Sequence, residues 1–140
     1  MKGVASLLRL AKFEADERQR ALAVLIEARA VLDSEERAFE AQAALEVAEA
    51  ARSPMAMMSY AAFAQRLTIE RSVMKRRQAA TDAEIAAARE ALSAAFIEVK
   101  RIEMLADKLA RAQAQRAERA EEAARDESVL IRIAREPASR

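Results

Sequence analysis

Arg52-Ser53-Pro54-Met55-Ala56-Met57-Met58-Ser59 is the one stretch of this chain that can turn it. Pro54 is the only proline before the extreme C-terminus, and Gly3 is the only glycine in 140 residues. Proline cannot sit inside a helix without costing a hydrogen bond and a clash, and Ser-Pro suits an N-cap followed by the first helical position. Ser59 is a second candidate cap. Outside this stretch nothing interrupts a helix, so the chain reads as a helix over about 4–51, a turn over about 52–58 and a helix over about 59–136. At 1.5 Å rise per residue such rods are roughly 70 Å and 115 Å long. A short connection between helices returns the chain antiparallel to itself. The expected fold is all-α: a long two-helix antiparallel coiled-coil hairpin whose second helix is the longer, making one elongated domain over 1–140.

Composition agrees. Hydrophobic residues make up 53% of the chain, but 37 residues are alanine and only five are aromatic. Alanine is the best helix former and buries little area. Charged residues reach 34%, above the roughly 25% of an ordinary globular domain. Alanine, glutamate, arginine and leucine at helical periodicity mark a coiled coil.

The second arm carries the clearer seam. From Tyr60, Ala64, Leu67, Arg71 and Met74, through Gln78, Thr81, Ile85, Ala88, Leu92 and Ala95, to Val99, Ile102, Ala106 and Leu109, it steps by four and three alternately. That is the 3.5-residue period of a left-handed coiled coil. The first arm has a poorer one, running through Val4, Leu8, Ala11, Ala15, Leu22, Leu25, Leu32, Phe39 and Ala43 and interrupted by Arg18, Arg29 and Glu36. These long charged side chains are expected to snorkel past a narrow alanine interface. Arg71, Gln78 and Thr81 weaken the other seam just after the turn, where the helices are expected to splay. Met55, Met57 and Met58 are expected to cover the end of the turn.

Pairing about residue 56 puts Val4 opposite Lys108, so the seams run out together and the stretch 110–136 has no partner within the chain. Asp107–Arg111 and Glu121–Arg125 support it as i,i+4 pairs. It ends in Val129-Leu130-Ile131-Arg132-Ile133, an apolar cluster on a solvated rod. Exposed apolar clusters mark contacts.

Charge excludes little but directs attention. Residues 5–52 hold seven basic and ten acidic side chains, residues 59–136 fifteen basic and thirteen acidic. Neither arm is basic enough for a dedicated nucleic-acid binder. Arg71, Lys75, Arg76 and Arg77 put four cations beside Met74 on two helical turns, a candidate docking patch for an acidic surface. A second basic stretch runs from Lys108 through Arg111 and Arg116 to Arg119.

Catalytic chemistry is not expected. With no histidine and no cysteine, the commonest general base and metal ligands are missing. One glycine allows no phosphate-cradling loop. No cofactor or metal is expected. The longest apolar run, 21–26, is far too short to span a bilayer and no secretory leader is evident, so the chain reads as cytoplasmic.

Three motifs around the central break resemble the FliJ family of flagellar type III export proteins: Leu7-Leu8-Arg9-Leu10, Ser59-Tyr60-Ala61-Ala62-Phe63-Ala64-Gln65-Arg66-Leu67, and Lys100-Arg101-Ile102-Glu103-Met104-Leu105-Ala106-Asp107-Lys108. The resemblance implies a soluble antiparallel coiled coil shaped like the stalk of a rotary ATPase. It implies a chain that inserts into the hexameric export ATPase, promotes its assembly, links it to the cytoplasmic domain of the export gate and escorts export chaperones. Such a protein is non-enzymatic and peripheral at the inner-membrane face, with neither nucleic-acid binding nor membrane insertion. On that basis Leu130, Ile131 and Ile133 enter the ring, Arg71, Met74, Lys75, Arg76 and Arg77 face the gate, and Arg101, Glu103 and Lys108 contact a partner. The equivalent part of a virulence-type injectisome and a self-associating structural coiled coil are the alternatives.

Overall fold

The computed structural model describes residues 2–137. They form three helices and no strand: α1 Lys2–Arg52, α2 Pro54–Met58 and α3 Tyr60–Arg135. The expected turn thus holds a short helix of its own. Ser53 precedes a proline and is driven out of the helical region, with φ −127° and ψ 125°. That single extended residue ends α1. Its side chain then caps α2, accepting from the Ala56 N–H at 3.4 Å, and Pro54 takes the first helical position.

Ser59 is the second break. Its N–H and hydroxyl both bond the Ala56 carbonyl, at 3.2 and 3.0 Å, while its own carbonyl accepts from Phe63 at 3.1 Å and starts α3. Both candidate caps are therefore used, one at each end of α2. Met55, Met57 and Met58 are exposed and cover nothing, which corrects the expectation above. In five residues α2 is too short to aim their side chains at a common face. At the other end α3 closes with the Glu136 N–H shared between the Arg132 and Ile133 carbonyls, one residue before Pro137. A Ser53→Ala variant loses the α2 cap; because that bond is long, the expected cost is about 0.5 kcal/mol, read from denaturant unfolding.

The chain separates into two compact units, Phe13–Phe96 and Met1–Lys12 with Ile97–Arg140, and α1 and α3 each run through both. In the unit Phe13–Phe96, α1 and α3 are tied by Glu40 with Arg71, Glu36 with Gln78, Glu35 with Arg77 and Arg29 with Asp82. As the α1 partner steps back toward the N-terminus the α3 partner steps forward, so these stretches run in opposite directions. Burial falls where the heptad pattern puts it. Ala15, Ala43, Leu67, Ile85 and Ala95 are buried, and Leu22, Leu25, Leu32, Phe39, Met74 and Leu92 half-buried.

In the unit Met1–Lys12 with Ile97–Arg140, the same phase continues: Ala11, Val99 and Ile102 are buried, and Val4, Leu8 and Ala106 half-buried. Of the seam positions read from sequence, only Arg18, Tyr60, Arg71 and Leu109 are exposed. Every described residue after Ala112 is exposed. No side chain among the described residues is fully buried, and most of the buried positions are alanine, as expected of a seam between two narrow helices.

Candidate interaction surfaces

Most polar residues within the seams bond a side chain on the facing helix. Arg29 donates from Nε to Asp82 at 2.8 Å and also bonds Asp33; the Asp82 bond is the main reason its guanidinium is held above its ordinary value. Gln78 donates to Glu36, both half-buried. Arg71 makes a two-pronged pair with Glu40, Nε and Nη2 each 2.7 Å from one carboxylate oxygen. These contacts replace the expected snorkelling of Arg29 and Glu36, and the expected splaying after the turn. At a narrow interface a facing polar partner lies within reach, so pairing wins over solvation. Arg18 and Thr81 behave otherwise, each bonding one turn back on its own helix, Arg18 to Glu14 and the Thr81 hydroxyl to the Arg77 carbonyl at 3.0 Å.

The Arg71 hydrogen bond, first, and its charge and that of Lys75 hold the Glu40 carboxyl below the ordinary carboxylate value, against a smaller opposing effect of burial. A carboxylate held low stabilises the folded chain above its ordinary value, and the contribution is lost as pH falls through the lowered one. Thermal melts of the wild type should therefore shift downward on acidification through the carboxylate range, and Glu40→Gln should flatten that dependence. An unchanged slope in the variant contradicts the pairing.

The basic patch is thus partly spent inside the protein. Arg71 goes to Glu40 and Arg77 to Glu35 at 3.7 Å, while Met74 is half-buried in the seam. Among the described residues, Arg76 reaches only the Ser72 carbonyl, at 3.5 Å, and Lys75 makes no ion pair. Two cations rather than four remain for a partner. In the other unit, Arg101 pairs with Glu98 and Glu103 with Lys100 along α3, at 3.5 and 3.3 Å, whereas Lys108 has no ion pair among the described residues. Of the two expected i,i+4 pairs, Glu121–Arg125 forms at 3.5 Å and Asp107–Arg111 does not.

Leu130, Ile131 and Ile133 project from the bare end of α3, at 66%, 46% and 61% exposure, with Val129 beside them. The two groups read as candidates at residues 71–77 and 130–133 fall in different units. Two further apolar features escaped the sequence reading. One is Val24, Val31, Ala38 and Leu45 on α1, all exposed and seven residues apart; the seven-residue spacing was the available signal. The other is a set of exposed leucines around Leu7 and Leu105.

Among the described residues, open depressions of about 240 to 500 Å³ run along the helices, one between α1 and α3 beside Phe39, Ala43, Phe63 and Leu67 and another on α3 beside Met104, Leu105, Lys108 and Arg111. Among the described residues no acidic cluster could hold a metal ion, and no helix is long and apolar enough to cross a membrane. No family of known proteins matches this chain, and neither does any curated protein or solved structure.

Proposed function

We propose that this chain is a two-helix antiparallel coiled-coil hairpin that serves as a non-enzymatic stalk of a type III protein export apparatus, most simply the flagellar one. Its partners on this reading are a hexameric export ATPase, the cytoplasmic domain of the export gate and export chaperones. The observation that carries it is the bare end of α3: a helix continues from Gln113 to Arg135 with every residue exposed and finishes in an apolar cluster. Such a segment has no stabilising face within its own chain, and a partner's cavity supplies one. The opposite direction of the α1 and α3 stretches in the unit Phe13–Phe96 and the three FliJ-like motifs also support it. Lys75 and Arg76 are the cations left to face an acidic gate surface.

The test is capture from bacterial cytosol with the full chain as bait. A hexameric ATPase should be retained and its hydrolysis stimulated, and a photo-crosslinker at 131 should mark that ATPase. Cross-links from 131 to the gate protein alone reject the orientation, and failure to retain an ATPase rejects the reading. A self-associating structural coiled coil is the second reading, favoured by the exposed stripe Val24, Val31, Ala38 and Leu45. Sedimentation separates the two: the stalk is a 15.5 kDa monomer at low concentration.

A further inference from the structure

We propose that the part of the molecule formed by residues 2–12 and 97–112 is a docking face for an acidic amphipathic helix of another protein. Three observations converge there. First, the face is apolar and uncovered: Leu7 and Leu10 on α1 are 50% and 64% exposed, and Met104 and Leu105 on α3 are 72% and 44% exposed. Second, these side chains share one flank. Leu7 and Leu105 each stand one residue before a half-buried seam position, Leu8 and Ala106. In the unit Phe13–Phe96 the residues in that same place, Glu35 before Glu36 and Arg77 before Gln78, meet at 3.7 Å. The equivalent geometry brings Leu7 and Leu105 to one side of the helix pair, and the groove between two helices is where a third helix lies.

Third, the face is cationic. Residues 2–12 and 97–112 hold seven basic and three acidic side chains, a balance of +4, whereas residues 13–96 hold eleven basic and fourteen acidic, a balance of −3. Two of the three acids, Glu98 and Glu103, are already paired along α3, which leaves Lys108 and Arg111 beside Leu105 with no ion pair among the described residues. An occupant with leucines toward the groove and carboxylates at its margins satisfies both the apolar patch and the rim. A bilayer fits less well. Arg101 and Lys108 alternate with Met104 and Leu105 on one strip, so burying the leucines in acyl chains would drag those charges with them. Nucleic acid offers nothing to the leucines. This face is argued independently of the export-stalk reading.

The experiment is selection from a display library of helical peptides about 20 residues long, panned against the full chain. The library has a fixed leucine seam and flanks drawn from Glu, Lys and Ala. Glutamate-flanked peptides should be enriched. A recovered peptide should bind about tenfold or more weakly to Leu105→Glu. Lys108→Glu combined with Arg111→Glu, which alters only exposed positions, should reverse the preference to lysine-flanked peptides while the circular dichroism spectrum stays unchanged. Three outcomes overturn the proposal: no enrichment, enrichment without acidic bias, or binding indifferent to both variants. Binding of the chain to phosphatidylglycerol vesicles with no peptide recovered also overturns it. So does self-association that Leu105→Glu abolishes with no peptide recovered; it assigns the face to a second copy.

Discussion

Ile85→Asp should lower the melting temperature of the chain by roughly 10 °C or more and broaden its transition. Among the described residues, Ile85 is one of only four buried side chains larger than alanine, with Leu67, Val99 and Ile102. Aspartate there removes the apolar contact and puts a carboxylate at a buried seam position, a change worth about 3 kcal/mol. Small proteins rarely have more than about 5–15 kcal/mol in total, and a seam made largely of alanine is at the poor end of that range. Arg29 is already committed to Asp82 and Asp33, and Arg89, one turn on and lining the same depression, can offset the new charge but not the lost apolar contact. Ile85→Val, which keeps the shape, should cost only about 1 kcal/mol. Much of the helical signal can survive in Ile85→Asp, since alanine-rich helices are nearly self-supporting. The informative readout is therefore the cooperativity of the melt. A melt superimposable on wild type contradicts a structural seam at this position.

The second large effect is functional and leaves stability alone. On the proposed stalk function, replacing Leu130, Ile131 and Ile133 together by aspartate should weaken capture of an export ATPase by roughly a hundredfold, each residue being placed to anchor a buried contact. The melting temperature should not fall, because the three side chains are exposed and no tertiary contact is lost. The expected split, binding abolished and folding intact, is what distinguishes a docking end from a structural one. Loss of stability in this variant would mean that the cluster packs on its own chain. Unchanged ATPase capture would remove the bare end of α3 from the proposed stalk function.

Much of the fold is legible in the residues, and the reasons are local. Ser53-Pro54 marks the break because proline denies the helical region to the residue before it, an effect that needs no tertiary information. The heptad steps from Leu67 to Ala106 predict burial because a two-helix interface has only one stripe to bury. The expected register about residue 56 sets position 29 against position 83, close to the observed Arg29–Asp82 pair, and 40 against 72, close to Glu40–Arg71. That register holds the cross-helix ion pairs, which Arg29, Glu36 and Arg71 do not reveal singly, because a lone charged side chain in a seam is best satisfied by solvent. α2 was not foreseen because five residues of helix carry no periodicity.

The candidate surfaces were less legible. Charge counted arm by arm, seven cations in one and fifteen in the other, hides where they gather, and only the folded contacts of residues 2–12 with the other terminal segment collect seven of them around exposed leucines. Conversely, Arg71 and Arg77 stood out as a docking patch because a run of cations looks available until its carboxylate partners are placed.

The central claim is that α1 and α3 lie against each other, in opposite directions, within one molecule. With no native cysteine, spin labels can be attached uniquely at Ala28→Cys and Glu84→Cys, both exposed and both on the flank where Glu35 meets Arg77. Helix axes in contact are about 8–10 Å apart, so the label separation measured by electron paramagnetic resonance should lie below about 20 Å. It should persist when labelled chain is diluted into unlabelled. A separation beyond about 40 Å, or a short one that vanishes on dilution, would contradict the pairing.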